Sequence, residues 1–247
     1  VNEPNIIRGN SLEKNVRDYE EKDKFDIILM NPPYGGTEKK SVQQNFPTEL
    51  RDSETADLFM VEILYRLKQN GKVGIVLPDG FLFGNDNTKV NIKKKLMEEC
   101  NLHTIIRLPG SIFSPYTSIA TNLLFFDKTG PTKETWFYRM DLPDGYKAFS
   151  KTKPVELKHM QHIIDWWNNR IEIKDLKDDE SLNETYKSKK FTIQEISNLN
   201  YNLDQCGYPV KEEIILSPKE TMDNFISKRE KLEIQLDCKL KEIIELI

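Results

Sequence analysis

Up to Lys128 short apolar, β-branched runs alternate with longer amphipathic stretches, and this alternation confines the chain to an α/β sheet more firmly than any other feature. Asn5-Ile6-Ile7-Arg8 reads as a short strand ending at Gly9, and Phe25-Asp26-Ile27-Ile28-Leu29-Met30 as a second. The second is apolar at nearly every position, which predicts a strand covered on both faces of a parallel sheet. Asp57 to Gln69 reads as a helix whose stripe is Leu58, Val61, Leu64, Tyr65 and Leu67, stopped by Asn70-Gly71. Lys72 to Leu77 is the next strand, Asn87 to Cys100 a second helix, and His103 to Leu108 and Thr121 to Asp127 two further strands.

After Asp127 the texture changes. Gly130-Pro131 breaks the sheet, Trp136-Phe137-Tyr138 suggests one more strand, and Glu156 to Asn168 reads as an amphipathic helix. Ile173 to Lys190 is strongly charged and reads as a loop or partly ordered linker. A last helix starts near Ser217-Pro218, with Pro218 at a first helical position. Its apolar residues Phe225, Leu232, Leu236, Leu240, Ile243 and Ile247 form one face, suited to folding back on its own domain or to docking on a partner. Three regions follow: 1–128, a loop-rich 129–216 and the helix 217–247.

Charge narrows the function. With 36 Lys+Arg against 40 Asp+Glu the net charge is -4, which excludes a generally basic nucleic-acid coat but allows a local basic patch. No apolar run approaches the roughly 20 residues of a membrane helix. Three cysteines, Cys100, Cys206 and Cys238, lie far apart with no C-x-x-C pair, so neither a disulfide framework nor a zinc site is indicated. A cytoplasmic setting is expected.

The residues that carry chemistry are Asn31-Pro32-Pro33-Tyr34, directly after the strand Phe25 to Met30. Such a string arises by chance in roughly one in a thousand chains of this length, and it sits where open α/β sheets bind ligands, at the carboxyl end of a strand. In the amino-methyltransferases, whose N-P-P-[YF] signature this string resembles, the attacking aromatic amino group is a poor nucleophile because its lone pair is delocalised into the ring. An Asn carboxamide oxygen and a backbone carbonyl can each accept one of its two hydrogens and favour a tetrahedral nitrogen. Proline offers no donor and stiffens the turn, and an aromatic ring two residues on can stack on an extruded base. The bland alternative is a Pro-Pro turn that merely ends a strand, with Asn31 a turn residue.

The resemblance at this motif does not by itself choose the substrate, since protein-glutamine and RNA methyltransferases look alike at these four positions. The runs Gly71 to Gly84, Ile105 to Phe113 and Thr121 to Lys128, with Ser150-Lys151-Thr152-Lys153-Pro154, Trp166-Trp167-Asn168-Asn169-Arg170 and Asn200-Tyr201-Asn202-Leu203-Asp204, are similar to the modification subunit of type I restriction-modification systems, N6-adenine DNA methyltransferases. The resemblance implies a partial Rossmann-like sheet dependent on S-adenosylmethionine, with a C-terminal helical extension. It assigns Asn31, Pro32, Pro33 and Tyr34 to catalysis and Asn10, Asp57 and Phe59 to the cofactor, and it implies DNA, a specificity subunit and an endonuclease subunit as partners. The last helix would lie on the specificity subunit. Asn10 stands where the family carries an acidic residue, and its amide can still hydrogen-bond an amino group. No G-x-G-x-x-G is present, so the chain reads as a C-terminal portion holding the target-base half of the site and binding cofactor weakly or not at all.

Other features are weaker. Phe113 and Tyr116 could grip a flipped base or simply pack their loop. Lys89 with Lys93-Lys94-Lys95 and Lys187-Ser188-Lys189-Lys190 could meet phosphate, though a charge run is more often a solvated face. His159-x-x-His162 has metal-ligand spacing with no third ligand in view, so no metal is expected. Two other classes stay open: a non-catalytic scaffold for a specificity subunit, and an enzyme acting on a protein glutamine or an RNA base.

Overall fold

The computed structural model describes residues 6–175, 184–209 and 217–244. The described residues up to 209 form one compact unit and the C-terminal helix belongs to a second. The first unit is a mixed α/β fold around a seven-stranded sheet. Its strands are β1 (Phe25–Met30), β2 (Leu67–Pro78), β3 (Asn101–Arg107), β4 (Thr121–Asp127), β5 (Glu134–Arg139), β6 (Ile173–Lys174) and β7 (Tyr186–Thr192), in the order β1-β2-β4-β3-β5-β7-β6. Helices α1 (Lys40–Gln43) and α2 (Thr55–Arg66) lie between β1 and β2, and α3 (Asp79–Phe83) and α4 (Asn87–Glu99) between β2 and β3. Helix α5 (Gln161–Asn168) precedes β6, and α6 (Ile193–Asn198) follows β7 directly.

The parallel reading needs correction. β1 pairs with β2 and β3 with β5 in parallel, but β4 runs antiparallel between β2 and β3, and β7 is antiparallel to both β5 and β6. A parallel return requires a crossover of a dozen or more residues, usually helical. The connection from β3 to β4 is a loop without a helix, so the chain comes back antiparallel. Strand β2 is also longer than expected, because α2 ends at Arg66 rather than at Asn70-Gly71. Those two residues sit inside β2 at a shift in its register with β1, with Asn70 at φ 62°. A side chain at Gly71 would press on the carbonyls of Lys68 at 2.9 Å and Asp26 at 3.1 Å, so only glycine fits that close pairing.

One face of the sheet is deeply covered. Val73, Ile75 and Leu77 of β2 alternate inward and pack with Leu58, Val61 and Leu64 of α2 and Ile92 and Leu96 of α4. On the opposite face Ile106, Tyr138, Met140, Phe149, Ile163 and Trp166 make a smaller core under α5. That second cover does not reach β1. Leu29 is 80% and Ile27 68% exposed, so the expected two-sided burial of β1 does not occur; Ile28 turns into the main core, with Met30 partly buried against it. The strand expected at 5–8 does not form either: Ile6, Ile7 and Arg8 have no regular structure, and Asn5 lies outside the described residues.

The charged stretch from Ile173 to Lys190 contains strand, contrary to the linker reading. β7 pairs with β5, Ser188 is fully buried, and lysine ammonium groups lie over rings: Lys189 Nζ over Tyr186 and Phe191, Lys190 Nζ over Trp136. Residues 176–183 lie outside the described part. In the second unit α7 (Pro218–Ile244) runs for 27 residues with Phe225, Leu232 and Leu236 exposed; the side chains of Leu240 and Ile243, and Ile247 altogether, lie outside the described residues. Among the described residues no helix is long and apolar enough to cross a membrane.

Candidate active site

β1 delivers Asn31 to the carboxyl edge of the sheet beside β2. There Asn31 and Pro33 are exposed, Pro32 is buried and Tyr34 is half-buried. The Tyr34 hydroxyl donates to the Asn31 carboxamide oxygen, so the acceptor that sequence reasoning offers to a substrate amino group is capped within its own loop. Burial raises the Tyr34 phenol above its ordinary value, which keeps it a donor at neutral pH.

The far end of the loop is tied to the start of α2. Thr55 N–H donates to the Gly36 carbonyl at 2.9 Å, and Glu38 N–H to the Ser53 carbonyl at 2.9 Å. One turn on, Asp57 is fully buried with Lys89 Nζ of α4 at 2.9 Å; the same ammonium faces Glu54 at 3.2 Å, Asp52 at 3.7 Å and Asp86 at 3.8 Å. Burial pushes the Asp57 carboxyl up to about 7 against the pull of Lys89, while the surrounding carboxylates hold Lys89 charged well above its ordinary value. Lys89 and Lys93 therefore form neither a solvated face nor a phosphate-binding one. Lys93 is fully buried, donates to the carbonyls of Leu82 at 3.1 Å and Gly84 at 2.7 Å, and is pushed by burial down to about 8.

The remaining predicted residues are dispersed. Asn10 is exposed, and its side-chain oxygen caps a short 3-10 turn by accepting from Leu12 N–H at 3.0 Å. Phe59 packs against the main core. Phe113 packs on the smaller core, and Tyr116 is 93% exposed. Both belong to the loop that leaves the carboxyl end of β3. It opens at the same sheet edge as Asn31 but three strands away, roughly 14 Å at the usual strand spacing. His159 lies against Tyr146 and Phe149, and His162 against Tyr138, so both act as ring packing. Among the described residues no cluster of His, Cys, Asp and Glu could hold a metal.

Sequence reasoning missed a network at this edge. Asn122, at the start of β4, donates to Asp79 at 2.6 Å, and Arg107, at the end of β3, pairs with Asp204 and lies 4.0 Å from Asp79. Asp79 and Asn122 lie in sequence runs that end at strand boundaries, the only signal that could have singled them out. Next to Asn31 the open sheet face forms a depression of about 360 Å³ lined by Leu29, Met30, Ile75, Val76, Leu123 and Phe125. Its lining offers one polar side chain, Asn31 itself.

The N-6 DNA methylase model matches residues 1–215. The chain is 43% identical over 239 residues to the type I restriction enzyme EcoEI methylase subunit of Escherichia coli, covering 97% of this chain and 47% of that protein. It is 34% identical over 166 residues to the StySJI methylase subunit of Salmonella typhimurium, covering 63% and 30%. A solved chain from work on complex assembly and conformational transition of the type I R-M system superposes with a TM-score of 0.70 and 31% identity, over 98% of this chain and 49% of that one. The chain thus spans about half the length of the E. coli relative. With the motif loop, the seven-stranded sheet and both cores all inside the matched span, this chain belongs to the N-6 DNA methylase family.

Proposed function

We propose that the chain is the target-base half of a type I modification subunit, which moves a methyl group from S-adenosylmethionine to the exocyclic amine of an adenine flipped out of DNA. The observation that carries this reading is Asn31-Pro32-Pro33-Tyr34 at the carboxyl end of β1, with the Asn31 oxygen aimed where the Tyr34 hydroxyl can be exchanged for a substrate donor. Asn31 Oδ1 and the Pro32 carbonyl each accept one N–H of the adenine amine, drawing its lone pair out of conjugation. The two prolines hold these acceptors in place beforehand, so little reorganisation accompanies the reaction. The Tyr34 ring stacks on the base, and Phe113 or Tyr116 closes on it from the β3–β4 loop. Transfer from a sulfonium methyl needs no covalent enzyme intermediate.

The cofactor fits these residues incompletely. The depression beside Asn31 is apolar apart from that one side chain, leaving the carboxylate and ammonium of S-adenosylmethionine without partners, and Asp57 is engaged by Lys89. Asn10 keeps its amide N–H₂ available, and Phe59 supports α2. The apolar lining beside Asn31 and the ion-paired Asp57 favour a cofactor site that takes its polar partners from outside these residues. Calorimetric titration of S-adenosylmethionine should show binding by a version extended upstream and none by the 247 residues; tight binding by the short chain would overturn the half-site reading. The substrate is tested with the complete subunit and its specificity partner. Label should enter duplex DNA, and label found in a release factor or RNA instead sinks the DNA reading.

In the same assembly α7 lies against the specificity subunit through Met222, Phe225, Leu232 and Leu236, all exposed on its apolar side. An endonuclease subunit completes the complex, in the cytoplasm. Tyr34 offers a separate check. Tyr34→Phe keeps the ring and removes the hydroxyl that caps Asn31, so the rate should stay within about threefold. Tyr34→Ala loses base stacking worth about 1–3 kcal/mol, an effect of about 5- to 150-fold. Equal losses in both variants would assign the role to the hydroxyl and contradict the stacking argument.

A further inference from the structure

From Gly145 to Val155 the sequence reads Gly-Tyr-Lys-Ala-Phe-Ser-Lys-Thr-Lys-Pro-Val, with three lysines and no acid, and Leu108 to Ala120 also contains no acid. In a chain of net charge -4 two such segments stand out, and the fold sets them side by side. Ser111 Oγ accepts from Phe149 N–H at 2.9 Å, and Phe149 is buried in the smaller core between Tyr146 and His159. A tight turn follows, with Ser150 and Lys153 exchanging backbone hydrogen bonds of 3.0 and 3.1 Å. Between the two segments lies a cavity of about 470 Å³ lined by Ser111, Ser114, Tyr116, Thr117, Ser118 and Ala148.

Lys147, Lys151 and Lys153 are all exposed, and among the described residues none lies within 4 Å of a carboxylate. Of the nearby acids, Asp141 pairs with Arg139 and Lys187 and Glu156 with Lys158, while the exposed Asp144, three residues before Lys147, lies beyond 4 Å of all three lysines. Lys153 instead sits 5.1 Å above the Tyr146 ring. Free ammonium groups beside a row of hydroxyls suit an anion whose charges repeat along a line. The cavity opens at the loop that leaves the carboxyl end of β3, the same sheet edge that carries Asn31.

We propose that Lys147, Lys151 and Lys153, with the hydroxyls of the Ser111–Ser118 loop, grip the phosphodiester backbone of duplex DNA flanking the target base. This rests on the functional reading above and adds the surface that holds the duplex in register. Such contacts position DNA without reading its sequence, which suits a subunit whose overall charge is acidic.

The test uses the complete subunit assembled with its specificity partner and a fluorescent duplex, titrated between 50 and 200 mM salt. Each lysine-phosphate contact contributes about 0.9 to the slope of log affinity against log salt. The K147Q/K151Q/K153Q variant should lose about 2.7 from that slope, so that wild type sheds about 40-fold more affinity than the variant across the range. Cognate and non-cognate duplexes should weaken alike, kcat at saturating DNA should hold, and the triple arginine variant should restore the slope. Should the triple variant fail to assemble, K151Q alone, at an exposed position, should still lower the slope by about 0.9. An unchanged slope in an assembled variant that still methylates DNA overturns the surface and leaves the functional reading intact. A slope that falls on single-stranded RNA but not on the duplex also overturns it. If the wild-type complex binds no DNA, the functional reading fails and this surface fails with it.

Discussion

Asn31→Ala in the complete, partner-assembled subunit should cut methyl transfer to duplex adenine by about 10²- to 10³-fold, the effect of deleting one preorganised polar contact to a developing charge. The loss should appear in kcat more than in KM, because the Asn31 oxygen matters most as the amine becomes tetrahedral. Stability should barely move. Asn31 is exposed and its side-chain hydrogen bond is to Tyr34 in the same loop, so the change belongs among surface substitutions worth about 0.5 kcal/mol or less, roughly 2 °C in melting temperature. Asn31→Asp keeps an acceptor oxygen at this position and should retain more activity than the alanine variant. A variant that folds and methylates at the wild-type rate without the carboxamide removes the mechanism proposed here.

What was legible in the sequence divides along physical lines. β4 matches its expected span from Thr121 to Asp127, and β1 with its motif loop matches likewise, because both are short apolar runs closed by a turn or a polar residue. The direction of β4 was not legible, since polarity follows from the connection through 108–120 and from which neighbour has a free edge. Burial of charge was the hardest to read. Lys89 and Lys93 lie four apart on α4 and look like a solvated stripe until Asp57, from a helix thirty residues earlier, and the carbonyls of Leu82 and Gly84 are brought against them. β7 was hidden because its lysines set their ammonium groups over aromatic rings, a contact that a period-two apolar pattern does not register. One local signal was readable and overlooked: Thr192-x-x-Glu195 is a capping box, and it starts α6. At the site, the chemistry of Asn31 to Tyr34 was legible because it is local, whereas the Asp79-Asn122-Arg107-Asp204 network was not, because its members meet only when β2, β3 and β4 align.

The Lys89-Asp57 pair carries the second large effect. Lys89→Met in the complete subunit is expected to destabilise it by about 3–5 kcal/mol, roughly 10 °C in melting temperature, because it leaves Asp57 buried with no countercharge and removes the one ammonium shared with Asp52, Glu54 and Asp86. The site is shaped for this lysine. A side chain at Gly84 would come within 2.2 Å of the Lys89 stem and 2.7 Å of the Gly80 carbonyl, so the glycine leaves room for the stem to pass. The loss should depend on pH with a definite sign. Burial holds the folded Asp57 carboxyl up at about 7 even with Lys89 beside it, and without the ammonium it rises further. An acid whose folded pKa exceeds its unfolded one, near 3.9, binds more protons when folded, so its contribution is full below that value and is lost as pH rises through the folded pKa. The variant's deficit against wild type should therefore be small up to about pH 7, where Asp57 is protonated in both folded forms, and should grow as pH rises above that value. Lys89→Met combined with Asp57→Leu removes both charges and should recover most of the stability at every pH. Melting curves of the single and double variants from pH 4.5 to 8 decide the matter, and a double variant as unstable as the single, or a deficit that does not change with pH, would show that packing of the Lys89 stem, not its charge, is what α2 and the motif loop depend on.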